Sequence, residues 1–401
     1  MARPRVSLAA ATSKGLVLDL IRAQGPISRV ALAETTGLTQ ATMSTVVRQL
    51  MSEGLVIATG RGESTGGKPP VMLDVNRGSR FAVGLQLGRE SNTYVVIDLG
   101  GAIVGRTRTP GIGTSEPAQM VARVADEIDR TLAGLGIAKA AVVGVGVVAP
   151  GPLDLARGVV RHAPQLEEWI DVPIRSMLFE AVGLPVILDN DATAAAIGDF
   201  WGGNLDGAVS HATVYMGTGI GSGVLLNGTV FRGASSNAGE VGQVVTTDEH
   251  GARVVIEDVA DAHAIVLRAR ARGEFERLGL GGSDDFEDFR TVASAAIKGD
   301  EGATELIEYS ADRLADGVLA MANLFDLDSV SLAGPAFAVV GSIYLRMIQG
   351  RLDGEFFARS QHGIRVRMST DVADAAAVGG AALVLQNQFA PRTLGFGEVP
   401  R

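Results

Sequence analysis

Short polar side chains alternate with apolar ones at helical spacing in the stretch that follows Thr39. The polar members are hydroxyls, two amides and one guanidinium. Groups of these types can bond to base edges and phosphates in the major groove of DNA. The candidate DNA-contacting residues in this stretch are Thr39, Gln40, Thr42, Ser44, Thr45, Arg48 and Gln49.

The residues around this stretch predict a helix-turn-helix. A short helix is expected over residues 28–36, and Gly37 would form the turn. Thr39 has the side chain of an N-cap, so a second helix should begin there and run to about Glu53. The polar residues would then lie on the outer face of this second helix.

A wing-like loop follows the second helix. The apolar runs 55–58 and 71–73 predict two short strands, with the glycine-rich loop 61–70 between them. Lys68 in this loop is a further candidate DNA contact, because a cation on a glycine-rich loop can approach a phosphate closely. These elements together predict a winged helix-turn-helix DNA-binding domain over residues 1–75, which we call the head.

The charge of the chain is divided unevenly. The head contains eight Lys or Arg and five Asp or Glu residues, a net charge of +3, whereas the whole chain carries −10 and the remainder therefore −13. A basic head is attracted to a polyanion that the acidic remainder repels. The asymmetry favours double-stranded DNA as a partner of the head alone.

Composition excludes several other classes of protein. The chain has no Cys, so it can form neither a disulfide nor a thiolate metal site. Its five His residues lack the spacing of metal ligands, and no apolar run reaches the ~18–20 residues that a membrane helix needs. We expect a cytoplasmic protein with no metal, no cofactor and no membrane partner.

Two segments repeat the same order of elements. Residues 81–104 and 212–231 each predict a strand, a glycine loop, a second strand, a turn and a third strand. Each segment is followed by predicted helices and further strands. The pattern predicts a duplicated α/β domain with two lobes and a cleft between them.

Four motifs follow the head in order: 144–151 (GVGVVAPG), 188–192 (LDNDA), 217–223 (GTGIGSG) and 239–243 (GEVGQ). With these motifs the chain resembles the ROK family, which contains sugar-responsive repressors and sugar kinases, and within it the repressor branch. The resemblance covers nearly the whole chain and implies an actin-like (ribonuclease H-like) two-lobe domain of the ATPase type. It implies a first lobe over 80–191 plus 373–390, and a second lobe with the dimerisation surface over 192–372.

The first phosphate loop of the family's kinases is degenerate in this sequence. Those kinases begin their first lobe with Asp-x-Gly-Gly-Thr, and the aligned residues here run from Gln86 to Glu90. Loss of the Asp removes a carboxylate near the transferred phosphate, and Glu90 would repel the phosphates of ATP. We therefore expect no kinase activity, and we interpret the second glycine loop, 217–223, as a tight turn in a structural hairpin.

The resemblance also implies a sugar-binding site. Asp191 aligns with the sugar-facing Asp that acts as general base in the kinases, and here it would accept hydrogen bonds from sugar hydroxyls without any catalytic role. Glu240 and Glu257 align with further sugar-contacting acids. The implied ligand-binding residues are Gly151, Gln165, Asn190, Asp191, Glu240, Gln243 and Glu257.

The zinc site typical of the family is missing. Gln243 stands where the family has a His, and the downstream segment 248–258 contains no Cys. The element that zinc anchors in the family must here be held by packing or by hydrogen bonds of Gln243.

These observations favour a sugar-responsive DNA-binding transcriptional regulator. It would be a repressor of carbohydrate-metabolism genes, a homodimer or a tetramer that binds operator DNA, with a sugar or sugar derivative as effector in the interlobe cleft. Two alternatives remain: a sugar kinase with an appended regulatory DNA-binding head, and a DNA-binding protein whose pocket no longer senses a small molecule.

Overall fold

The computed structural model describes residues 13–62, 69–162, 169–203, 205, 207–282 and 284–389. Lys68 and Gln165, two of the predicted binding residues, lie outside these ranges. The chain divides into two compact units, one formed by residues 1–190 with 377–401 and the other by residues 191–376.

The head opens the first unit. Its helices are α1 (Ser13–Gln24), α2 (Arg29–Thr36) and α3 (Gln40–Ser52), and its strands are β1 (Ile27–Ser28), β2 (Val56–Arg61) and β3 (Val71–Val75). The strands form an antiparallel sheet in the order β1-β3-β2. The predicted helix-turn-helix and both predicted wing strands are present, whereas β1 was not predicted. The core of the head is formed by the buried side chains of Val17, Ile21, Leu32, Met43, Val47, Leu50, Leu55 and Leu73.

A short 3-10 turn, Arg77–Ser79, connects the head to the rest of the first unit. On the head side, the Asn76 side-chain amide donates to the Gly54 carbonyl oxygen at 2.9 Å. On the other side, the Arg77 guanidinium lies 3.8 Å from the Asp98 carboxylate. The connection is therefore bonded at both of its ends.

A five-stranded sheet is the centre of the remaining first unit. Its strand order is β11-β7-β4-β5-β6, in which β4, β5 and β6 are antiparallel neighbours and β4, β7 and β11 are parallel. A smaller sheet has the order β10-β9-β8. The elements are β4 (Phe81–Gln86), β5 (Ser91–Asp98), β6 (Ile103–Pro110), α4 (Pro117–Gly134), β7 (Val142–Ala149), β8 (Leu153–Asp154), β9 (Val159–His162), β10 (Ile170–Val172), α5 (Ile174–Val182) and β11 (Val186–Asn190).

The second unit repeats this topology. Its sheet has the order β14-β13-β12-β17-β18, with β12, β13 and β14 antiparallel and β12, β17 and β18 parallel. The duplication predicted from the sequence is therefore confirmed. The elements are α6 (Asp191–Trp201), β12 (Ser210–Met216), β13 (Ile220–Leu226), β14 (Thr229–Val230), β15 (Val245–Thr247), β16 (Arg253–Val255), α7 (Glu257–Ala260), α8 (Ala262–Ala271), α9 (Glu274–Arg277), α10 (Asp285–Ile297), α11 (Glu301–Phe325), β17 (Ser329–Ala333), α12 (Phe337–Glu355) and β18 (Arg365–Met368).

The last helix, α13 (Ala375–Phe389), packs on the sheet of the first unit. A side chain at Gly84 would overlap the Ala377 carbonyl oxygen, and one at Gly146 would overlap the Gly380 carbonyl oxygen. Glycine at these two strand positions therefore permits the helix backbone to lie directly on the sheet. None of the helices in the described part of the chain is both long and apolar enough to cross a membrane.

Candidate functional site

Local sequence signals fix the position of helix α3 in the head. Gly37 has a φ of 71°, which favours glycine, and its N–H donates to the Ala33 carbonyl oxygen at 2.9 Å to end α2. The Thr39 hydroxyl then accepts a hydrogen bond from the Thr42 N–H at 3.2 Å, as an N-cap does. Met43 and Leu50 are fully buried on the inner side of α3. The start and the orientation of α3 thus follow from the turn, the cap and this apolar side.

The outer side of α3 carries the predicted DNA-contacting residues. All of those in the described residues are exposed except Ser44, which is partly buried. Several of them bond within the head: the Gln49 amide donates to the Glu53 carboxylate at 3.0 Å, and the Thr45 hydroxyl donates to the Ala41 carbonyl oxygen at 3.1 Å. Lys14 bonds to the same carboxylate at 2.7 Å. The exposed polar residues of this surface are Thr39, Gln40, Thr42, Thr45, Arg48 and Gln49.

Glu257, at the first position of α7, is held against the start of strand β13. Its Oε2 accepts a hydrogen bond from the backbone N–H of Ile220 at 3.2 Å. A Cβ at Gly242 would lie 2.7 Å from the same oxygen, and one at Gly219 would lie 3.3 Å from Oε1. The absence of side chains at these two positions makes room for the carboxylate.

Asp191, the first residue of α6, is held against the next residues of β13. A Cβ at Gly223 would lie 2.5 Å from the Ala192 carbonyl oxygen, and one at Gly221 would lie 3.2 Å from the Ala192 Cβ. The Asp191 carboxylate itself accepts a hydrogen bond from the Ala192 N–H at 2.8 Å. The close packing of α6 on β13 therefore sets where the Asp191 carboxylate lies.

Glu240 is attached to the same strand through the residue before it. The Gly239 carbonyl oxygen accepts hydrogen bonds from the Ser222 N–H at 2.8 Å and from the Ser222 hydroxyl at 2.6 Å. Gly239 has a φ of 94°, and a side chain there would overlap the Ser222 carbonyl oxygen. Residues 219–223 at the start of β13 thus anchor the three segments that carry Asp191, Glu240 and Glu257.

The pKa of each of the three carboxyl groups is raised above its usual value. Burial, followed by the charge of Glu257, raises the pKa of Asp191 to about 6. Glu240 keeps an exposed surface, yet desolvation by the surrounding protein and then the charges of Asp191 and Glu257 raise its pKa to about 7. The pKa of Glu257 is also raised, mainly by burial. A carboxyl that keeps its proton near neutral pH can both donate and accept hydrogen bonds.

A fourth acid, Asp261, was not predicted from the sequence. It is the N-cap of α8 and accepts a hydrogen bond from the Ala264 N–H at 2.7 Å. Burial and then the charge of Glu257 raise its pKa to about 6. The usable signal was that of an N-cap, since an Asp directly precedes the apolar helix that starts at Ala262.

The remaining predicted ligand residues are placed separately. In the first unit, Asn190 ends β11 opposite Ala149, the last residue of the parallel strand β7, and Gly151 follows two residues later. Asn190 and Gly151 therefore lie at the same edge of that sheet. Gln243, in the second unit, is exposed.

A comparison with known protein families shows to which family the chain belongs. The family model described as "ROK family" matches residues 82–387, and a model described as "Winged helix-turn-helix DNA-binding" matches residues 13–57. The chain belongs to the ROK family.

Individual relatives include both a repressor and a kinase. A putative xylose repressor of Caldicellulosiruptor sp. is 29% identical over 94% of this chain and 96% of its own. A glucokinase of Halalkalibacterium halodurans is also 29% identical, over 77% of this chain and 96% of its own. Among solved structures, a ROK family transcriptional regulator described as a homologue of E. coli MLC covers 94% of this chain and 96% of its own, with a TM-score of 0.74 and 23% identity. The similarity to this solved structure shows the fold of the chain.

The loop between β4 and β5, which was predicted to align with the first phosphate loop of the family's kinases, is held by two hydrogen bonds of Gly88. The Gly88 N–H donates to the Asn92 side-chain oxygen at 3.2 Å, and the Gly88 carbonyl oxygen accepts from the Ile112 N–H at 2.9 Å. Arg89 and Glu90 are exposed beyond it, 3.7 Å apart. The second glycine loop is the turn between β12 and β13, where Met216 faces Ile220, so the predicted hairpin geometry is present.

The residues near Gln243 do not fit the ROK zinc site. An amide replaces the imidazole, no Cys exists in the chain, and no group of three His, Asp or Glu suited to a metal occurs among the described residues. Among the described residues the Gln243 side chain makes no hydrogen bond. Packing and bonds of Gln243 were the two predicted ways to hold this element, and packing is the one observed. Val241 and Ile256 are buried against Gly317, where a Cβ would lie 2.9 Å from Val241 Cγ2 and 2.5 Å from Ile256 Cδ1.

Proposed function

We propose that the protein is a sugar-responsive DNA-binding regulator that represses carbohydrate-metabolism genes. One observation carries the proposal: a single chain combines an exposed polar recognition helix, α3, with a cluster of carboxyl groups anchored on β13. The first feature suits operator DNA, and the second suits a polyol. The putative xylose repressor of Caldicellulosiruptor supports the same combination, since its similarity extends over 94% of this chain.

The effector we propose is a sugar bound by Asp191, Glu240 and Glu257. Each sugar hydroxyl can donate one hydrogen bond and accept others, so it is best bound by groups that offer both kinds of partner. Ionised carboxylates accept only, whereas Glu240, with a pKa raised to about 7 by desolvation and neighbouring charges, can also donate near neutral pH. D-xylose is the first candidate, given the name of the Caldicellulosiruptor relative.

The DNA partner we propose is a two-fold-symmetric operator bound by a homodimer. Helix-turn-helix proteins commonly bind two half-sites with two heads, so the spacing of the heads sets the operator affinity. A sugar that binds one arrangement of the protein more tightly than another would change that affinity.

A sugar kinase is the second candidate, because the H. halodurans glucokinase is also similar and Asp191 is retained. The first phosphate loop argues against it. Phosphoryl transfer needs donors and cations directed at the phosphates. Here the Gly88 N–H is bonded to Asn92, and Glu90 places a negative charge in the loop. We expect no ATP- and Mg²⁺-dependent phosphorylation of glucose, xylose or N-acetylglucosamine at an enzyme-like rate, and such turnover would favour the kinase.

A thermal-shift screen over sugars and sugar phosphates tests the sensing half of the proposal. A ligand that binds only the folded protein stabilises it by about 2.7 kcal/mol at a hundred times its Kd. We expect at least one sugar to raise the melting temperature of the wild type, and to raise that of Asp191→Asn by less at the same concentration. A panel in which no sugar raises it would contradict sugar sensing.

A further inference from the structure

The β15–β16 hairpin joins two of the site's carboxyl groups along the chain. Glu240 lies five residues before β15, and Glu257 lies two residues after β16. Two strands of three residues each have little stability of their own. The contacts that hold this hairpin on the second unit therefore determine how firmly both acids are placed.

We propose that the ion pair between Glu249 and Arg268, here called the clasp, fixes the hairpin on α8 and so positions Glu240 and Glu257. Its effect on sugar binding rests on the function proposed above, whereas its effect on the geometry of the acids does not. Arg268 acts through the hairpin and touches neither acid, so it is a positioning residue.

The clasp has the geometry of a strong ion pair. Arg268 Nη1 donates to Glu249 Oε1 at 3.0 Å, and Nη2 donates to Oε2 at 2.6 Å. Arg272 adds a longer bond of 3.4 Å to Oε2. The Arg268 guanidinium carbon lies 3.5 Å from the centre of the Tyr309 ring on α11, and only 14% of the Arg268 side chain is exposed. An exposed single pair contributes little, but a bidentate and stacked arginine in a network contributes more.

A second set of bonds ties β15 to α11. The Thr246 hydroxyl bonds to the Asp316 carboxylate at 3.2 Å. The Thr247 carbonyl oxygen accepts a bond from the Arg313 guanidinium, also at 3.2 Å. Arg351 on α12 donates to Asp316 at 2.6 Å. The strand is thus attached to α11, while the turn of the hairpin, which contains Glu249, is attached to α8 by the clasp.

The clasp adds a charged contact to the packing at Gly317. The donor set near Gln243 does not fit zinc, so rigidity at this place must come from other contacts. The turn is already ordered within itself, since Asp248 Oδ1 accepts bonds from the His250 and Ala252 N–H groups at 2.8 Å. A pre-ordered turn presents Glu249 to Arg268 at a small entropic cost.

Hydrogen exchange at Ile220 tests the clasp without any sugar. The Ile220 N–H is bonded to Glu257, so it loses protection when Glu257 is displaced. We expect Glu249→Gln and Arg268→Ala to lower this protection, and Arg268→Lys, which keeps the charge but not the bidentate geometry, to have an intermediate effect. The matched control is Glu308→Gln, because Glu308 is 40% exposed against 39% for Glu249 and pairs with Arg346 at 2.8 Å away from the hairpin.

Effector affinity provides the second measurement, with D-xylose as the probe. We expect Glu249→Gln to raise the Kd for D-xylose by about three- to tenfold, while Glu308→Gln leaves it unchanged. Wild-type protection of the Ile220 N–H in Glu249→Gln and in Arg268→Ala would overturn the clasp. So would a loss of protection in the Glu308→Gln control as large as the loss in these two variants. If wild-type protein fails to bind D-xylose, the proposed effector is wrong, and the exchange measurement still decides the clasp.

Discussion

The Glu257 carboxylate accepts a hydrogen bond from the backbone N–H of Ile220 at 3.2 Å. This bond ties an acid on α7 to the first residue of β13, where the segments that carry Asp191 and Glu240 are also anchored. The glycine motif 217–223 therefore has a structural use that does not depend on a nucleotide: it lets three acids approach one strand.

Asp191→Asn should weaken binding of the sugar effector while leaving DNA binding intact. The exchange keeps the size of the side chain but turns one acceptor oxygen into a donor NH₂, so a sugar hydroxyl loses its partner. An unpaired buried polar group costs about 1–3 kcal/mol, roughly a ten- to hundredfold loss of affinity. Calorimetry with the sugar found by the thermal-shift screen measures the change. Wild-type affinity in both Asp191→Asn and Glu240→Gln would show that the site is elsewhere.

The stability of the protein should depend on pH through Glu240. Desolvation and the charges of Asp191 and Glu257 raise its pKa from 4.5 to about 7, so the folded protein holds this proton more tightly than the unfolded chain does. The contribution of the Glu240 proton to the stability of the folded protein is complete below pH 4.5 and is lost as the pH rises through 7.

Glu240→Gln should remove this dependence. Relative to wild type, the variant should become more stable as the pH rises from 4.5 to 8, because glutamine carries no charge to repel Asp191 and Glu257. Melting temperatures of both proteins across this range, with Glu308→Gln as control, measure the difference. A constant difference between wild type and Glu240→Gln at every pH would contradict the assigned cause.

Gly317→Ala should disturb the segments that carry Glu240 and Glu257. The new Cβ would lie 2.5 Å from Ile256 Cδ1 and 2.9 Å from Val241 Cγ2, and these residues adjoin the two acids. Such overpacking typically costs about 1–3 kcal/mol. The control is Gly350→Ala in α12, where a Cβ meets nothing within 4 Å and should stabilise the helix by roughly 0.5–1 kcal/mol. Chemical denaturation measures both, and equal changes in the two variants would argue against tight packing at Gly317.

Arg48→Ala should weaken operator binding. Arg48 is an exposed cation on the outer side of α3, so it can bond to a base or a phosphate. Loss of a base contact costs about 1–3 kcal/mol and relaxes specificity, whereas loss of a phosphate contact lowers the salt slope by about one. Titrations at several salt concentrations separate the two cases. Arg157→Ala, an exposed substitution outside the head, should bind as wild type does. Unchanged binding by Arg48→Ala would contradict a DNA contact by Arg48.

The sequence predicted those features that local patterns determine. Thr39 and Gly37 set the bounds of α2 and α3, and alternating apolar runs set the repeated strands. Strand β1 was missed because its two residues have no periodicity and depend on pairing with β3. The convergence of Asp191, Glu240 and Glu257 on one strand depends on contacts between residues that are distant in the chain. The bond between Glu249 and Arg268 depends on such contacts too. Neither feature could therefore be derived from a local pattern.

The central claim is that sugar binding and DNA binding are coupled in this chain. The most direct measurement is fluorescence anisotropy of the wild-type protein on DNA from upstream of its own gene, titrated with and without a saturating sugar from the thermal-shift screen. We expect sequence-specific binding whose affinity the sugar changes by about fivefold or more. An affinity for that DNA that the bound sugar leaves unchanged would contradict it.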